Sequence, residues 1–127
     1  MKITRNSSET RRFSELCTGD LFVDITQELY MKVKSPITNA VNISLNSLHR
    51  FNETGLVSLV HGNLKVSDEI IVVPFEEIKP GSTFQVERSF YLRLTGVDSV
   101  NLATGDLEVF PKASWVHKVN LSLEVEE

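Results

Sequence analysis

Two places in this sequence carry a tyrosine followed two residues later by a cation: Tyr30 with Lys32, and Tyr91 with Arg93. A lysine or arginine beside a tyrosine can hold an anionic group through charge and ring stacking. The same pattern also arises where a strand simply turns a cation towards water. The four residues are therefore candidates for an anion-binding site, with solvated strand cations as the alternative.

Further polar and aromatic residues recur at similar places in the two halves of the chain. Asn42 and Asn101 each follow a valine, where an asparagine either caps a turn through the local backbone or flanks a ligand groove. His61 and His117 each end a Ser-x-Val-His segment and are either half-exposed packing residues or site residues. Trp115 is either an anchor for a partner or a packing residue.

The sequence contains no motif for a catalytic or metal centre. Phosphate-binding glycine loops, zinc-ligand spacings and a nucleophile elbow are absent. The single cysteine, Cys17, would need an approaching histidine to act as a nucleophile. Glu76 and Glu77 are adjacent, so on a strand they would point to opposite faces and make poor acid–base partners. We therefore predict that the protein is not an enzyme and has no catalytic residues, metal or cofactor.

Composition and charge narrow the choice of partners. The 127 residues are 41% hydrophobic, as in a folded protein, and the net charge of −4 argues against nucleic-acid binding. No apolar run reaches the roughly 18 residues of a membrane span, and the first residues do not resemble a secretory signal. We expect a cytoplasmic protein with no membrane partner. Residues 1–12 hold four basic residues and one acid, which predicts a flexible basic arm.

The elements that must position these residues follow from an internal repeat. Residues 13–74 and 75–127 share glycine, aromatic and asparagine positions in the same order. The aligned pairs are Phe13/Phe75, Gly19/Gly81, Phe22/Phe84, Tyr30/Tyr91, Lys32/Arg93, Asn42/Asn101, Phe51/Phe110 and His61/His117. We interpret the two stretches as diverged copies of one β-unit.

Each copy contains five short runs of strand-forming residues separated by Gly, Pro, Asn, Asp or Ser. The predicted strands are 20–25, 28–34, 40–44, 48–51 and 56–61 in the first copy, and 82–87, 90–94, 99–103, 107–110 and 115–119 in the second. Further strands are predicted at 64–67, 69–73 and 121–125, with the apolar run at 70–73 buried between the copies. A helix fits only at 8–16. We expect an all-β fold of two tandem, SH3-like, partly open β-barrels packed as one body about a pseudo-two-fold axis.

These motifs give the chain a family resemblance. The first copy contains Gly19-Asp20-Leu21-Phe22, Tyr30-Met31-Lys32 and Asn39-Ala40-Val41-Asn42-Ile43, and the second contains Val100-Asn101-Leu102, Thr104-Gly105 and Phe110. The chain thereby resembles small uncharacterised proteins of tailed bacteriophages, whose units carry Gly-Asp-x-Phe, Tyr-x-Lys, Ala-Val-Asn-Leu, Thr-Gly and Phe in this order. The second copy departs from the pattern at Ser82 and Arg93. The resemblance implies a phage accessory protein in a bacterial cytoplasm, and it implies no activity.

We expect a non-enzymatic binding module that engages a host protein through an exposed strand edge or the groove between the copies. One alternative is the sequestration of an anionic small molecule such as a nucleotide, through Tyr30, Lys32, Tyr91 and Arg93. Another is a minor virion or structural role. Exposed edges could also pair two copies into a homodimer.

Overall fold

A computed structural model describes residues 2–5 and 9–126, and it confirms the prediction of an all-β protein. Strands make up 51% of the protein, and no helix among the described residues reaches seven residues. The strands in the described residues are β1 (Lys2–Arg5), β2 (Glu9–Arg12), β3 (Leu21–Val23), β4 (Leu29–Lys32), β5 (Ala40–Asn42), β6 (Ser47–His49), β7 (Leu56–Pro74), β8 (Thr83–Val86), β9 (Ser89–Arg93), β10 (Ser99–Asn101), β11 (Leu107–Glu108) and β12 (Trp115–Glu126).

Hydrogen bonds join ten of these strands in one path, β11-β10-β9-β8-β12-β7-β3-β4-β5-β6, which curls into a half-barrel. β7 and β12 form the centre as a long antiparallel pair, whose register shifts between Val119 and Leu121. The short strands predicted at 56–61, 64–67 and 69–73 are all parts of β7. Those predicted at 115–119 and 121–125 are likewise parts of β12. The all-β class is therefore confirmed, and the two SH3-like barrels stay a prediction.

Two short strands lie within residues 1–12, for which the sequence predicts a flexible arm. β1 pairs in parallel with β12, and β2 pairs antiparallel with β7. In place of a helix at 8–16, residues 9–16 hold β2 and a 3₁₀ turn at Phe13–Glu15, and residues 1 and 6–8 lie outside the described part. The long central strands offer backbone partners along their edges, which local sequence does not reveal.

The hydrogen-bond ladders define which residues take the same place in the two halves, and we call such residues counterparts. Leu21 lies opposite Val60 in the β3–β7 ladder, and Thr83 lies opposite Val119 in the β8–β12 ladder. Leu21 and Thr83 each follow the repeated glycine by two residues. Val60 and Val119 are therefore counterparts, and the rest of β7 and β12 follows in the same register.

Three apolar clusters hold the sheet together. The central cluster takes buried residues from both halves, including the counterparts Val60 and Val119. Each half adds a flanking cluster of four rings, and their members are Phe13, Phe22, Tyr30 and Phe51 in the first half and Phe75, Phe84, Tyr91 and Phe110 in the second. The stacked Phe–Tyr pair is alike in the two clusters, with centroids 5.5 Å apart in the first and 5.3 Å in the second. The two flanking clusters are therefore built from the same types of ring at matching positions.

A tight turn from each half packs against the repeated glycine of the other half. A Cβ atom on Gly105 would lie 2.5 Å from the carbonyl oxygen of Lys32 and 2.6 Å from the nitrogen of Gly19. A Cβ atom on Gly81 would lie 2.7 Å from Asn46 Nδ2. The φ angles of Gly19, Gly81 and Gly105 are +97°, +89° and +77°, where a side chain adds strain. These close contacts fix the two halves against each other.

Candidate functional site

Lys32 and Arg93, the cations considered for anion binding, donate to backbone carbonyls. Lys32 Nζ lies 3.1 Å from the carbonyl oxygen of Phe13, 2.8 Å from that of Leu16, and 4.6 Å from the centre of the Phe13 ring. Arg93 makes the matching pair of bonds in the second half, and its guanidinium carbon lies 4.7 Å from the centre of the Phe75 ring. Each cation closes the 3₁₀ turn that covers its aromatic cluster. The geometry therefore favours a structural role for both.

Tyr30 and Tyr91 are buried in the two separate aromatic clusters. Burial is the main cause that raises the pKa of both phenols above the ordinary value of 10.0. The Tyr30 hydroxyl donates to Glu28 Oε2 at 3.2 Å, and Asn42 Nδ2 donates to the same oxygen at 2.9 Å. The predicted quartet of tyrosines and cations thus divides between two clusters instead of meeting in one site.

Asn42 and Asn101 cap corresponding turns. Asn42 Oδ1 accepts hydrogen bonds from the backbone nitrogens of Ser44 and Leu45, both at 3.0 Å. Asn101 Oδ1 accepts the matching pair at 2.9 and 3.2 Å. Both side chains are buried. Of the two interpretations offered by the sequence, this geometry favours turn capping.

His61 and His117 are not counterparts, so their alignment was wrong. Ser58 lies opposite Val23, and His117 lies opposite Gln85. Val23 and Gln85 are counterparts, which makes Ser58 the counterpart of His117 and places His61 three residues further along β7. The shared letters Ser-x-Val-His therefore fall at different positions on the two strands. Both histidines are exposed.

A groove opens beside β7 at the seam between the halves, with a volume of about 360 Å³. Its walls include Asp20, His61, Gly62, Leu64, Leu102 and Ala103. β3 begins at Leu21 opposite Val60, so β7 runs on past this neighbour at the groove. Asp20 is the one charged residue among the described residues that line the groove. Of the predicted site residues, only His61 is among them.

The apolar run at 70–73 is not buried as a whole, contrary to the prediction. Ile70, Ile71 and Val72 are 53%, 57% and 53% exposed, and Trp115 on the paired strand is 70% exposed. The exposure of Trp115 favours a partner anchor over a packing residue. Over residues 70–74, the described partner of β7 is β12 alone, so β7 is an edge strand here. We call Ile70, Ile71, Val72 and Trp115 the apolar edge.

The counterpart strand in the first half shows that the fold does not require this exposure. Arg12 lies opposite Leu56 in the β2–β7 ladder, just as Pro74 lies opposite Trp115 in the β7–β12 ladder. β2 therefore presents Glu-Thr-Arg-Arg, all exposed, where residues 71–74 read Ile-Val-Val-Pro. Charged side chains protect an edge strand from pairing with other chains. The second half has no charge at these four positions.

Within residues 2–5 and 9–126, no group of His, Cys, Asp and Glu side chains could hold a metal ion. No helix in the same residues is long and apolar enough to cross a membrane. Comparison with protein families, curated proteins and solved structures finds no match to this chain. The apolar edge and the groove are therefore the candidate binding surfaces.

Proposed function

We propose that this protein is a non-enzymatic binding module that engages another protein through the apolar edge. An edge strand that lacks charged side chains can accept a strand from a partner, whose main-chain hydrogen bonds supply affinity. Exposed apolar patches mark interaction surfaces, and tryptophan is among the commonest residues at the energetic centre of an interface. The observation that carries the proposal is the contrast between the apolar residues 71–74 and the charged β2 at the same place in the fold.

The resemblance to tailed-phage proteins supports a bacterial host protein as the partner and the host cytoplasm as the location. Sequestration of an anion receives less support, because Lys32 and Arg93 donate to backbone carbonyls. The groove also carries Asp20, whose carboxylate repels anions. A minor virion role would use the apolar edge as well, and it predicts that the protein is found in purified particles.

The test replaces residues of the apolar edge by those at the corresponding positions of β2. The double variant Ile71→Glu with Val72→Thr installs the residues that β2 has at Glu9 and Thr10. Tagged wild-type protein, cross-linked in a lysate of the bacterial host, is expected to retain a discrete polypeptide. The double variant should retain at least tenfold less of it, because a charge on the edge opposes both the apolar contact and strand pairing.

The matched control is Val97→Glu with Val109→Thr, because these valines are 70% and 64% exposed outside the apolar edge. The control should retain the polypeptide like the wild type. Equal retention by the edge variant would contradict the proposal. Light scattering of the purified proteins separates a host partner from a second copy. A wild-type dimer that the edge variant turns into a monomer would assign the edge to self-association and overturn the host-protein assignment.

A further inference from the structure

The ladder between β7 and β12 fixes which backbone groups of the apolar edge point towards a partner. Phe75, which directly follows β7, donates its backbone N–H to the carbonyl oxygen of Ser114 at 2.7 Å. In an antiparallel pair, residues that bond to the neighbouring strand alternate with residues that do not. The residues of β7 at even separations from Phe75 therefore bond to β12. Ile70, Val72 and Pro74 direct their backbone groups away from β12, towards the open edge.

These three residues offer two donors and three acceptors to an incoming strand. Ile70 and Val72 each present an N–H and a C=O, and Pro74 presents a C=O alone, because proline has no N–H. Among the described residues, no strand pairs with this edge of β7 over residues 70–74. β7 ends at Pro74, so the ladder that a partner can form here is short.

The side chains of the apolar edge divide between the two faces of the sheet. Alternate residues of a strand share a face, and so do residues directly opposite each other in paired strands. Ile70 and Val72 therefore lie on the same face as Trp115, which is opposite Pro74. All three are more than half exposed, and they form an uncharged strip beside the open edge. Ile71 lies on the other face.

The nearest charge to this strip along β7 that bears on a partner is that of Glu69. Glu69 is exposed and directly precedes Ile70, and it lines a small cleft together with Ile71 and Lys118. Neighbouring strands lie about 4.8 Å apart. A strand on the open edge is the direct neighbour of Glu69, whereas β7 separates it from Lys118 on β12. A basic residue of the partner is therefore complementary to the end of the apolar edge at Glu69.

We propose that the partner engaged by the apolar edge supplies an extended segment with two β-branched apolar residues, separated by one residue and followed by a lysine or arginine. This assignment rests on the proposed function and specifies its partner. The apolar residues pair with Ile70 and Val72 beside Trp115, and the basic residue lies beside Glu69. The segment runs antiparallel to β7, as β2, β3 and β12 do. Main-chain hydrogen bonds supply affinity, and the alternation of side chains supplies specificity.

The probe is the synthetic peptide Gly-Thr-Val-Thr-Val-Lys-Gly, blocked at both ends and titrated into the ¹⁵N-labelled full chain. In antiparallel pairing its two valines lie opposite Val72 and Ile70, and its lysine lies opposite Glu69. Saturable amide shifts are expected at residues 70–73 with millimolar peptide. The absence of such shifts, or saturable shifts elsewhere alone, would overturn the proposal.

Methylated peptides separate strand pairing from contact between side chains. In the antiparallel pairing, both valine nitrogens of the peptide face β7 and the nitrogen of the threonine between them faces away. Methylation of one valine nitrogen should weaken binding about tenfold, because one main-chain hydrogen bond is lost. Methylation of that threonine nitrogen is the matched control and should change affinity by less than about twofold. Equal losses, or a larger loss for the threonine, would refute the pairing with Ile70 and Val72.

A peptide of reversed sequence, Gly-Lys-Val-Thr-Val-Thr-Gly, tests the basic residue at constant composition. Antiparallel pairing moves its lysine from Glu69 to Val73, so it should bind about threefold more weakly. Glu69→Gln should remove the difference between the two peptides. Equal affinity of both peptides for the wild type would refute the assignment of a basic residue, and a preference for the reversed peptide would refute the antiparallel direction.

Variants at Val72 test the same hydrogen bond from the side of the protein. Val72→Pro removes the N–H that faces the open edge, and it leaves the bonds between β7 and β12 in place. It should weaken peptide binding about tenfold, whereas Val72→Ala, which keeps the N–H, should weaken it about threefold. Equal losses would contradict strand pairing. Circular dichroism checks that both variants fold, and the methylated peptides decide the question if Val72→Pro does not.

Competition separates this assignment from the proposed function. The peptide should displace the host polypeptide that the tagged protein retains. Retention that depends on the apolar edge but resists a peptide bound at residues 70–73 would overturn the extended segment and leave the proposed function standing. Retention that does not depend on the apolar edge would overturn the proposed function, and the assignment of its partner with it. The control variant, Val97→Glu with Val109→Thr, should bind the peptide like the wild type.

Discussion

Replacement of Lys32 by methionine tests whether the repeated cation is structural. The change removes the ammonium group that donates to the Phe13 and Leu16 carbonyls and lies over the Phe13 ring. Methionine keeps an unbranched apolar stem of similar length, so the packing of the stem is retained. The expected result is a loss of stability, because two carbonyls lose a charged donor while the rest of the cluster is unchanged.

The size of the loss follows from these contacts. A hydrogen bond to a charged group contributes about 1.5–3 kcal/mol, and a cation over an aromatic ring about 0.5–1 kcal/mol at an exposed site. Lys32 is half-buried, so water replaces part of the lost bonding. We therefore expect the free energy of unfolding to fall by about 2–3 kcal/mol. At about 4 °C per kcal/mol for a chain of this length, Tm should fall by about 10 °C.

Urea unfolding followed by circular dichroism measures this change. Lys34→Met is the control, because Lys34 is an exposed cation close by and its loss should stay within about 0.5 kcal/mol. Lys32→Arg should retain most of the stability, since Arg93 makes the same contacts in the second half. A loss below about 0.5 kcal/mol for Lys32→Met would refute the structural role and restore Lys32 as a candidate ligand-binding residue.

Two further predictions address the fold. Gly105→Ala should lower the free energy of unfolding by at least about 2 kcal/mol in urea unfolding, because its Cβ atom would lie 2.5 Å from a backbone oxygen and its φ is +77°. Gly96→Ala is the control. A Cβ atom there has open space around it, so the free energy of unfolding should change by less than about 1 kcal/mol. The raised pKa values of Tyr30 and Tyr91 mean that the folded state holds these protons more tightly, so stability is complete below pH 10.0 and falls as pH rises through the folded pKa. Replacing both tyrosines by phenylalanine should flatten this alkaline decline in a series of unfolding curves, and an unchanged slope would disprove the assignment.

Local signals in the sequence predicted the strands and turns of each half. Gly19 and Gly81 lie just before β3 and β8 and adopt a positive φ, which glycine permits without strain. Asn42 and Asn101 cap turns within three residues of their own position, so the information is local. The aligned aromatic residues likewise form the two flanking clusters. What the sequence predicted well is what a few neighbouring residues determine.

Contacts between segments distant in the sequence could not be predicted from such local signals. A continuous apolar run is typical of a strand buried on both faces, but burial also needs layers above and below it, and residues 70–72 lie on an edge strand. His61 was aligned with His117 by shared letters, whereas the ladders pair positions by hydrogen bonds. The sequence nevertheless contained a signal for the apolar edge. With Phe13 aligned to Phe75, the residues before them contrast Glu-Thr-Arg-Arg with Ile-Val-Val-Pro.

The differences between the halves are a better guide to binding than the similarities. Residues that each half needs for its own turns and aromatic cluster recur in both halves. Lys32 and Arg93, the two tyrosines and the two turn-capping asparagines are such residues. A feature present in one half is not required by that architecture. Ile71, Gly62 and Asp20 are features of this kind, because their counterparts are a glutamate, a leucine and a serine. The first two lie on β7, and Asp20 lines the groove beside it. The apolar edge is such a departure on β7, the strand that crosses from one half to the other, which is why the proposed function is tested there.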